Sequence, residues 1–182
     1  MASTTPLRIA SMSITIRHAE PDDYAAVAAI YASPRAAAGT LQIPLQSAEV
    51  WKQRLTTIAP LDRILVAELS GEVVGNLGLH PATNVRRAHA AGMGMGVRDD
   101  AQGQGVGTAL VMAAVDLADN WLHLLRLELT VWTDNAVARR LYERHGFVLE
   151  GTHRAYAFRH GRYVDAHAMA RLHPSPPSLI AS

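Results

Sequence analysis

The run Val97-Arg98-Asp99-Asp100-Ala101-Gln102-Gly103-Gln104-Gly105-Val106-Gly107-Thr108 leaves this chain few folding options, because it joins an apolar strand to an amphipathic helix through closely spaced glycines. Beyond Gly103, the residues Val106, Leu110, Ala113, Ala114, Leu117 and Trp121 recur at intervals of three and four, the period of a helix face. The helix therefore begins inside the turn. Its first N–H groups have no partner within the helix and carry partial positive charge, and glycines let an anion approach the backbone closely. A pyrophosphate suits such a turn; a tight, ligand-free connection is the alternative. The spacing Gly103-x-Gly105-x-Gly107 is neither Gly-x-Gly-x-x-Gly nor a loop ending in Lys-Ser/Thr, which weakens both a dinucleotide and a P-loop reading.

A second patterned stretch lies about thirty residues on. Leu127, Leu129 and Val131 alternate with Glu128, Thr130 and Trp132 at the period of a strand, and Thr133 or Asp134 can cap the helix that follows. Gly146 ends that helix. Asn135, Ala138 and Tyr142 fall along one helix face over two turns.

The remaining segments complete a repeating plan. Ile14 to Tyr24 reads as a strand running into a helix start, with Pro21 near the first turn, and a second short helix follows Ser47. Arg63–Leu69 and Val73–Leu79 read as strands joined at Ser70-Gly71, a further strand runs from about His89 to Val97, and Thr152–Arg159 with Val164–Leu172 forms a hairpin around His160-Gly161. The order β-α-α-β-β-β-α-β-α-β-β predicts one α/β (α+β) domain over 13–173, with a mixed central sheet and helices on both faces. Residues 1–12 and 174–182, rich in small residues and proline, read as flexible tails.

Composition narrows function by exclusion. With 17 basic and 16 acidic side chains, the chain has no broad electrostatic footprint for nucleic acid. The absence of cysteine removes disulfides, thiolate metal sites and an acyl-cysteine intermediate. The nine histidines follow no metal-ligand spacing, so no metal is expected. No apolar run suggests a membrane span or a signal-peptide core, and a cytoplasmic location is the default expectation.

Gln102, Gly105 and Gly107 match Gln/Arg-x-x-Gly-x-Gly/Ala, while Asn135, Ala138, Leu141, Tyr142, Gly146 and Phe147 match Asn-x-x-Ala-x-x-Leu-Tyr-x-x-x-Gly-Phe. The chain thereby resembles the GNAT N-acetyltransferases. The phrases Ile-Arg-His-Ala-Glu, Gly-Thr-Leu-Gln-Ile-Pro, Asp-Asn-Trp-Leu and Glu-Leu-Thr-Val look like the YhhY-type bacterial amino-acid N-acetyltransferases. The resemblance implies acetyl-coenzyme A as cosubstrate, held by Met95, Gly96, Val97, Gln102, Gly103, Gln104, Gly105, Val106, Gly107, Thr108, Asn135 and Tyr142. Glycines at 92, 94 and 96 suit a strand whose backbone must be approached. The resemblance makes Tyr142 the acid that protonates the departing thiolate; packing is its other reading.

Many relatives carry a carboxylate where this chain has Gly92. His89, His80 and Glu128 are the candidates for the missing base, with His89 placed first, and a water chain is the alternative. The expected acceptor is the primary amine of a small molecule, a free L-amino acid or an analogue. Peptide N-termini, or a CoA-binding module without catalysis, are the other readings. Acceptor specificity is expected from Tyr31 to Trp51 and from the Arg154–Tyr163 hairpin. Arg35, Arg86 or Arg154 could clamp a carboxylate, and Tyr31, Trp51, Tyr156 and Phe158 could line an apolar pocket. The family suggests a homodimer.

Overall fold

Side-chain alternation along β2, Arg63–Leu69, decides how the molecule layers. Leu65 and Ala67 enter one buried cluster and Val66 enters another, as the two-residue strand period requires. The sheet is therefore covered on both faces. The computed structural model describes residues 13–176. The tails read at 1–12 and from 177 onward lie outside the described residues.

The remaining strands are β1, Ile14–His18; β3, Glu72–Pro81; β4, Ala90–Val97; β5, Arg126–Trp132; β6, Val148–Arg159; and β7, Arg162–Leu172. They form one seven-stranded sheet in the order β1-β2-β3-β4-β5-β7-β6. Every neighbouring pair is antiparallel except β4 with β5. One face carries α1, Tyr24–Ala32; α2, Pro34–Ala38; and α3, Ala48–Thr56, packed through Val27, Ile30, Tyr31, Ala36, Trp51 and Leu55. The other face carries α4, Val106–Asn120, and α5, Ala136–Arg144, over the larger cluster built on Leu77, Leu79, Leu110, Leu127 and Phe147.

The mixed sheet with helices on both faces is the expected architecture, with local corrections. One helix more is present than the sequence order predicts. Ser33, immediately before Pro34, is extended (φ −68°, ψ 129°), because the proline ring disfavours a helical residue ahead of it. Pro34 then occupies the first turn of α2, where its missing N–H costs nothing. Trp121 does not continue the apolar face of α4: it lies beyond the last helical residue, at φ −130°, and is 75% exposed. Neither Thr133 nor Asp134 caps α5. Asn135 does, accepting the Ala138 N–H through Oδ1 at 3.1 Å.

Two contacts fix α4 where it is needed. A Cβ on Gly75 of β3 would lie 2.8 Å from Val106 and 3.0 Å from Leu110, so this glycine lets the helix N-terminus settle directly onto the sheet. At the far end, Arg171 of β7 donates both terminal nitrogens to Asp119, at 2.8 and 2.7 Å, in a mostly buried pair.

Candidate active site

Pairing between β4 and β5 covers only Ala90, Ala91 and Gly92 against Arg126, Leu127 and Glu128. Beyond Gly92 the strands diverge, and Met95, Gly96 and Val97 face Thr130, Val131 and Trp132 across a cleft of about 1210 Å³. The β5-side backbone of β4 has no strand partner there. Unpaired N–H and C=O groups on such an edge need partners, and an extended ligand with amide groups supplies them.

The cleft runs to the glycine turn. Gly103 and Gly105 adopt φ of +77° and +89°, left-handed values that residues with a Cβ resist. Gly105 is the N-cap of α4, and the first intrahelical bond runs from Ala109 N–H to its carbonyl at 3.0 Å. The N–H groups of Val106, Gly107 and Thr108 thus have no partner within the helix. Gly107 also permits close packing of α5, since a Cβ there would stand 3.2 Å from Leu141.

Of the residues expected to hold the cosubstrate, all line this cleft except Gln104 and Val106. Gln104 turns its amide to the Asp100 carbonyl at 2.8 Å, away from the cleft. Val106 is buried in the core against Gly75. Only their backbones belong to the turn. Gln102 reaches the cleft wall, but its amide donates to Val97 O at 3.0 Å and bridges to Asp99, which ties the turn to the end of β4. Asn135 has Oδ1 engaged as a helix cap, leaving its Nδ2 donors for another partner.

Tyr142 stands on α5 at the cleft, 6% exposed, with its ring edge-on to Phe147 at 5.7 Å. Burial pushes its phenol up to about 12, because the anion would lose its hydration. The hydroxyl has no hydrogen-bond partner among the described residues. Tyr31 lies close enough to raise its own pKa partly through Tyr142, though burial is the larger cause. Its hydroxyl donates to Asn76 Oδ1 at 3.0 Å, and its ring stacks on Trp51 at 4.6 Å.

The cleft widens past the diverging strands into a chamber under α1 and α3. Its floor is the β3–β4 ladder, where Gly78 pairs with Gly94 and His80 with Gly92. A Cβ on Gly92 or Gly94 would meet nothing within 4 Å. Its wall holds Trp51, Arg54, Asp62 and His80. Arg54 lies 4.5 Å over the Trp51 ring and donates to Gln42 Oε1 at 2.9 Å. It has no acidic partner among the described residues. Trp132 is buried at the cleft with its Nε1–H unpartnered among them.

Several expectations shift here. His89 does not reach the cleft. It is exposed at the opposite end of β4, about 20 Å of strand from Met95, and only its carbonyl is engaged, accepting the Leu125 and Arg126 N–H groups. Glu128 flanks Gly92 in register, yet its carboxylate takes Arg126 at 2.6 Å and Arg87 at 2.7 Å and lies outside the cleft. Arg126, then Arg87, holds it below its ordinary 4.5. Arg35 lines the cleft but is pinned to Asp99, and Arg86 and Arg154 are exposed elsewhere. The stretch from Tyr31 to Trp51 does wall the chamber, whereas the hairpin does not: Tyr156 packs on Trp132 and His153, and Phe158 on Tyr163. Sequence reasoning missed Arg54 and Asp62. The sole sequence hint for Arg54 is its place one turn after Trp51 on a short helix.

The model of the acetyltransferase (GNAT) family matches residues 29–147. The L-amino acid N-acetyltransferase AaaT of Escherichia coli K12 is 43% identical over 159 residues, spanning 87% of this chain and 98% of that protein. A crystal structure provisionally assigned as a phosphinothricin N-acetyltransferase superposes with a TM-score of 0.81 at 25% identity, covering 90% of this chain and all of the other. A Vibrio cholerae spermidine N-acetyltransferase in complex with CoA and spermine shares the fold, with a TM-score of 0.77 at 24% identity over 88% of this chain and 95% of its own. With the splayed strands, the glycine turn at a helix N-terminus and both motifs on one cleft, this chain belongs to the acetyltransferase (GNAT) family.

Proposed function

We propose that the enzyme transfers the acetyl group of acetyl-CoA to the α-amine of a free L-amino acid or a close analogue. The observation that carries the acceptor class is Arg54: a guanidinium stacked on Trp51 at the exposed wall of the chamber, held by a neutral glutamine and by no carboxylate among the described residues. Such a cation is free to take an α-carboxylate bidentately. The likeness to an L-amino acid N-acetyltransferase along nearly its whole length supports the same reading.

The donor thioester extends from the Gly103–Thr108 turn along the free edge of β4, with its pantetheine amides on Met95–Val97 and Asn135. Backbone N–H groups there polarise the carbonyl, and alignment of two bound reactants removes several kcal/mol, about 7 or more, from the barrier. The amine nitrogen attacks the carbonyl carbon, the C–N bond forms, and the C–S bond breaks. Tyr142, protonated at working pH, donates to the departing sulfur.

The test is thiol release from acetyl-CoA with free L-amino acids, short peptides and polyamines as acceptors. The amino acids should be turned over and their α-amides should not, since amidation removes the charge Arg54 receives. Preference for peptides would favour N-terminal acetylation, and no thiol release with tight CoA binding would favour a non-catalytic module.

We also infer a cytoplasmic homodimer. β6 is one of the two edge strands of the sheet, and with β7 it exposes Val148, Leu149, Phe158 and Tyr163. Sedimentation equilibrium should give twice the chain mass, and Phe158→Glu should shift it to monomer.

A further inference from the structure

The absence of a carboxylate at residue 92 leaves the amine's proton without an obvious receiver. The ladder supplies one from the neighbouring strand. His80 is the register partner of Gly92, and side chains of paired residues leave the sheet on the same face. The imidazole therefore rises beside the space where a side chain at 92 would stand, and Gly92 leaves that space open. Nδ1 lies 2.7 Å from Asp62 Oδ2, on the connection between α3 and β2. A carboxylate accepts only, so Nδ1 carries the hydrogen, and in the neutral ring Nε2 presents the lone pair. Nε2 leans along β3 over Gly78: a Cβ there would sit 2.4 Å from it. Gly78 stands between His80 and Asn76 on the same face of β3, so the ring lies on the His80 side of the Asn76–Gly96 pair. Both His80 and Asp62 line the chamber that contains Arg54.

We propose that His80, oriented by Asp62 and seated over Gly78, is the general base that removes the proton from the acceptor amine. In the step, the nitrogen's proton passes to Nε2 as the C–N bond forms and Asp62 stabilises the resulting imidazolium; after the product leaves, that proton goes to solvent, from which Tyr142 recovers the one it gave to the sulfur. Atoms and charge balance with acetyl-CoA and the amine alone. The groups that share this space are few. Asp62 faces His80 from the loop before β2, and Arg54 comes from α3. Tyr31 and Arg35 come from α1 and α2, and Tyr142 and Arg144 from α5, while Glu128 on β5 lies outside the cleft, paired with Arg87 and Arg126. The carboxylate has in effect moved from the central strand to a neighbouring loop and acts through an imidazole.

The proposal rests on acetyl transfer to an amine, not on which amine. His80→Ala should lower kcat about 100-fold or more while CoA affinity by calorimetry stays within twofold. The ascending limb of the kcat/KM–pH profile should move to that of the acceptor amine. Gly78→Ala should give a comparable loss with His80 still present, because the added methyl displaces the ring, and Asp62→Asn should lower kcat about tenfold and move the same limb. An unchanged pH profile in His80→Ala would overturn the proposal. Failure of the amino-acid reading is separable: if only a polyamine or peptide is acetylated, the same series is run with that amine. Nitrogen-15 NMR of the imidazoles needs no acceptor at all. It should show His80 as the Nδ1–H tautomer, lost in Asp62→Asn, and an Nε2–H tautomer in the intact protein would sink the assignment.

Discussion

At the scale of single residues, the site divides into groups that hold geometry and groups that can do chemistry. Gln102 shows the first kind, its amide spent on Val97 and Asp99. Tyr142 shows the second: a buried phenol with no internal partner, in a cleft built to receive a thioester. Tyr142→Phe removes one oxygen from a site that already favours the neutral ring. Melting temperature and CoA affinity should hardly change, while kcat falls about 100-fold; steady-state rates beside a thermal melt check both. Arg54→Met keeps the stem on Trp51 and deletes the charge. It should raise KM for an amino acid about tenfold or more, the worth of a charge-assisted hydrogen bond of about 1.5–3 kcal/mol, and leave KM for acetyl-CoA alone.

At the scale of elements, strand and helix assignments were legible because residues 63–79 are short apolar runs around the turn Ser70-Gly71, and 126–147 alternate with a period of two and then form a helix face closed by a glycine. The turn and the α5 face that line the cleft were legible for the same reason: they lie in two continuous stretches, and local spacing determines them. The break at Ser33-Pro34 needed the proline's effect on its predecessor, and the end of α4 before Trp121 needed knowledge of where the core stops. The residues proposed to serve the acceptor are scattered. Asp62 and His80 are eighteen residues apart and meet only through the β2–β3 hairpin, and Arg54 comes from a separate helix. Pairing register, not spacing, brings them together. Elsewhere one ion pair clamps two elements: Asp119→Ala leaves the Arg171 guanidinium mostly buried without its partner. The loss should be about 3–5 kcal/mol by denaturant titration, with much of it recovered when Arg171 is also replaced by Met.

At the scale of the whole molecule, proton binding sets the range of stability. Burial, then Arg144 and Arg171, holds His145 below its ordinary 6.5. Arg126 and Arg87 hold Glu128 below 4.5, and Arg17 holds Asp23 below 3.8. In each case the unfolded chain takes up the proton first, so the stabilisation is complete above the ordinary value and disappears as pH falls through the folded one. Melting temperature should decline gently below about pH 6.5 and steeply below about pH 4.5. His145→Gln should abolish the first decline, and Arg17→Gln should make the second shallower. The divergence of β4 from β5 has a thermodynamic consequence as well. Three register pairs are all that join the β1–β4 half of the sheet to the β5–β7 half along this seam, so a ligand lying in it supplies missing rungs to a ladder. CoA is then linked to folding: at a hundredfold excess over its Kd it should add about 2.7 kcal/mol of stability. Those amide hydrogens of Met93–Val97 that do not bond to β3 should exchange slowly only when it is bound, which makes the cosubstrate a structural member of the sheet for as long as it stays.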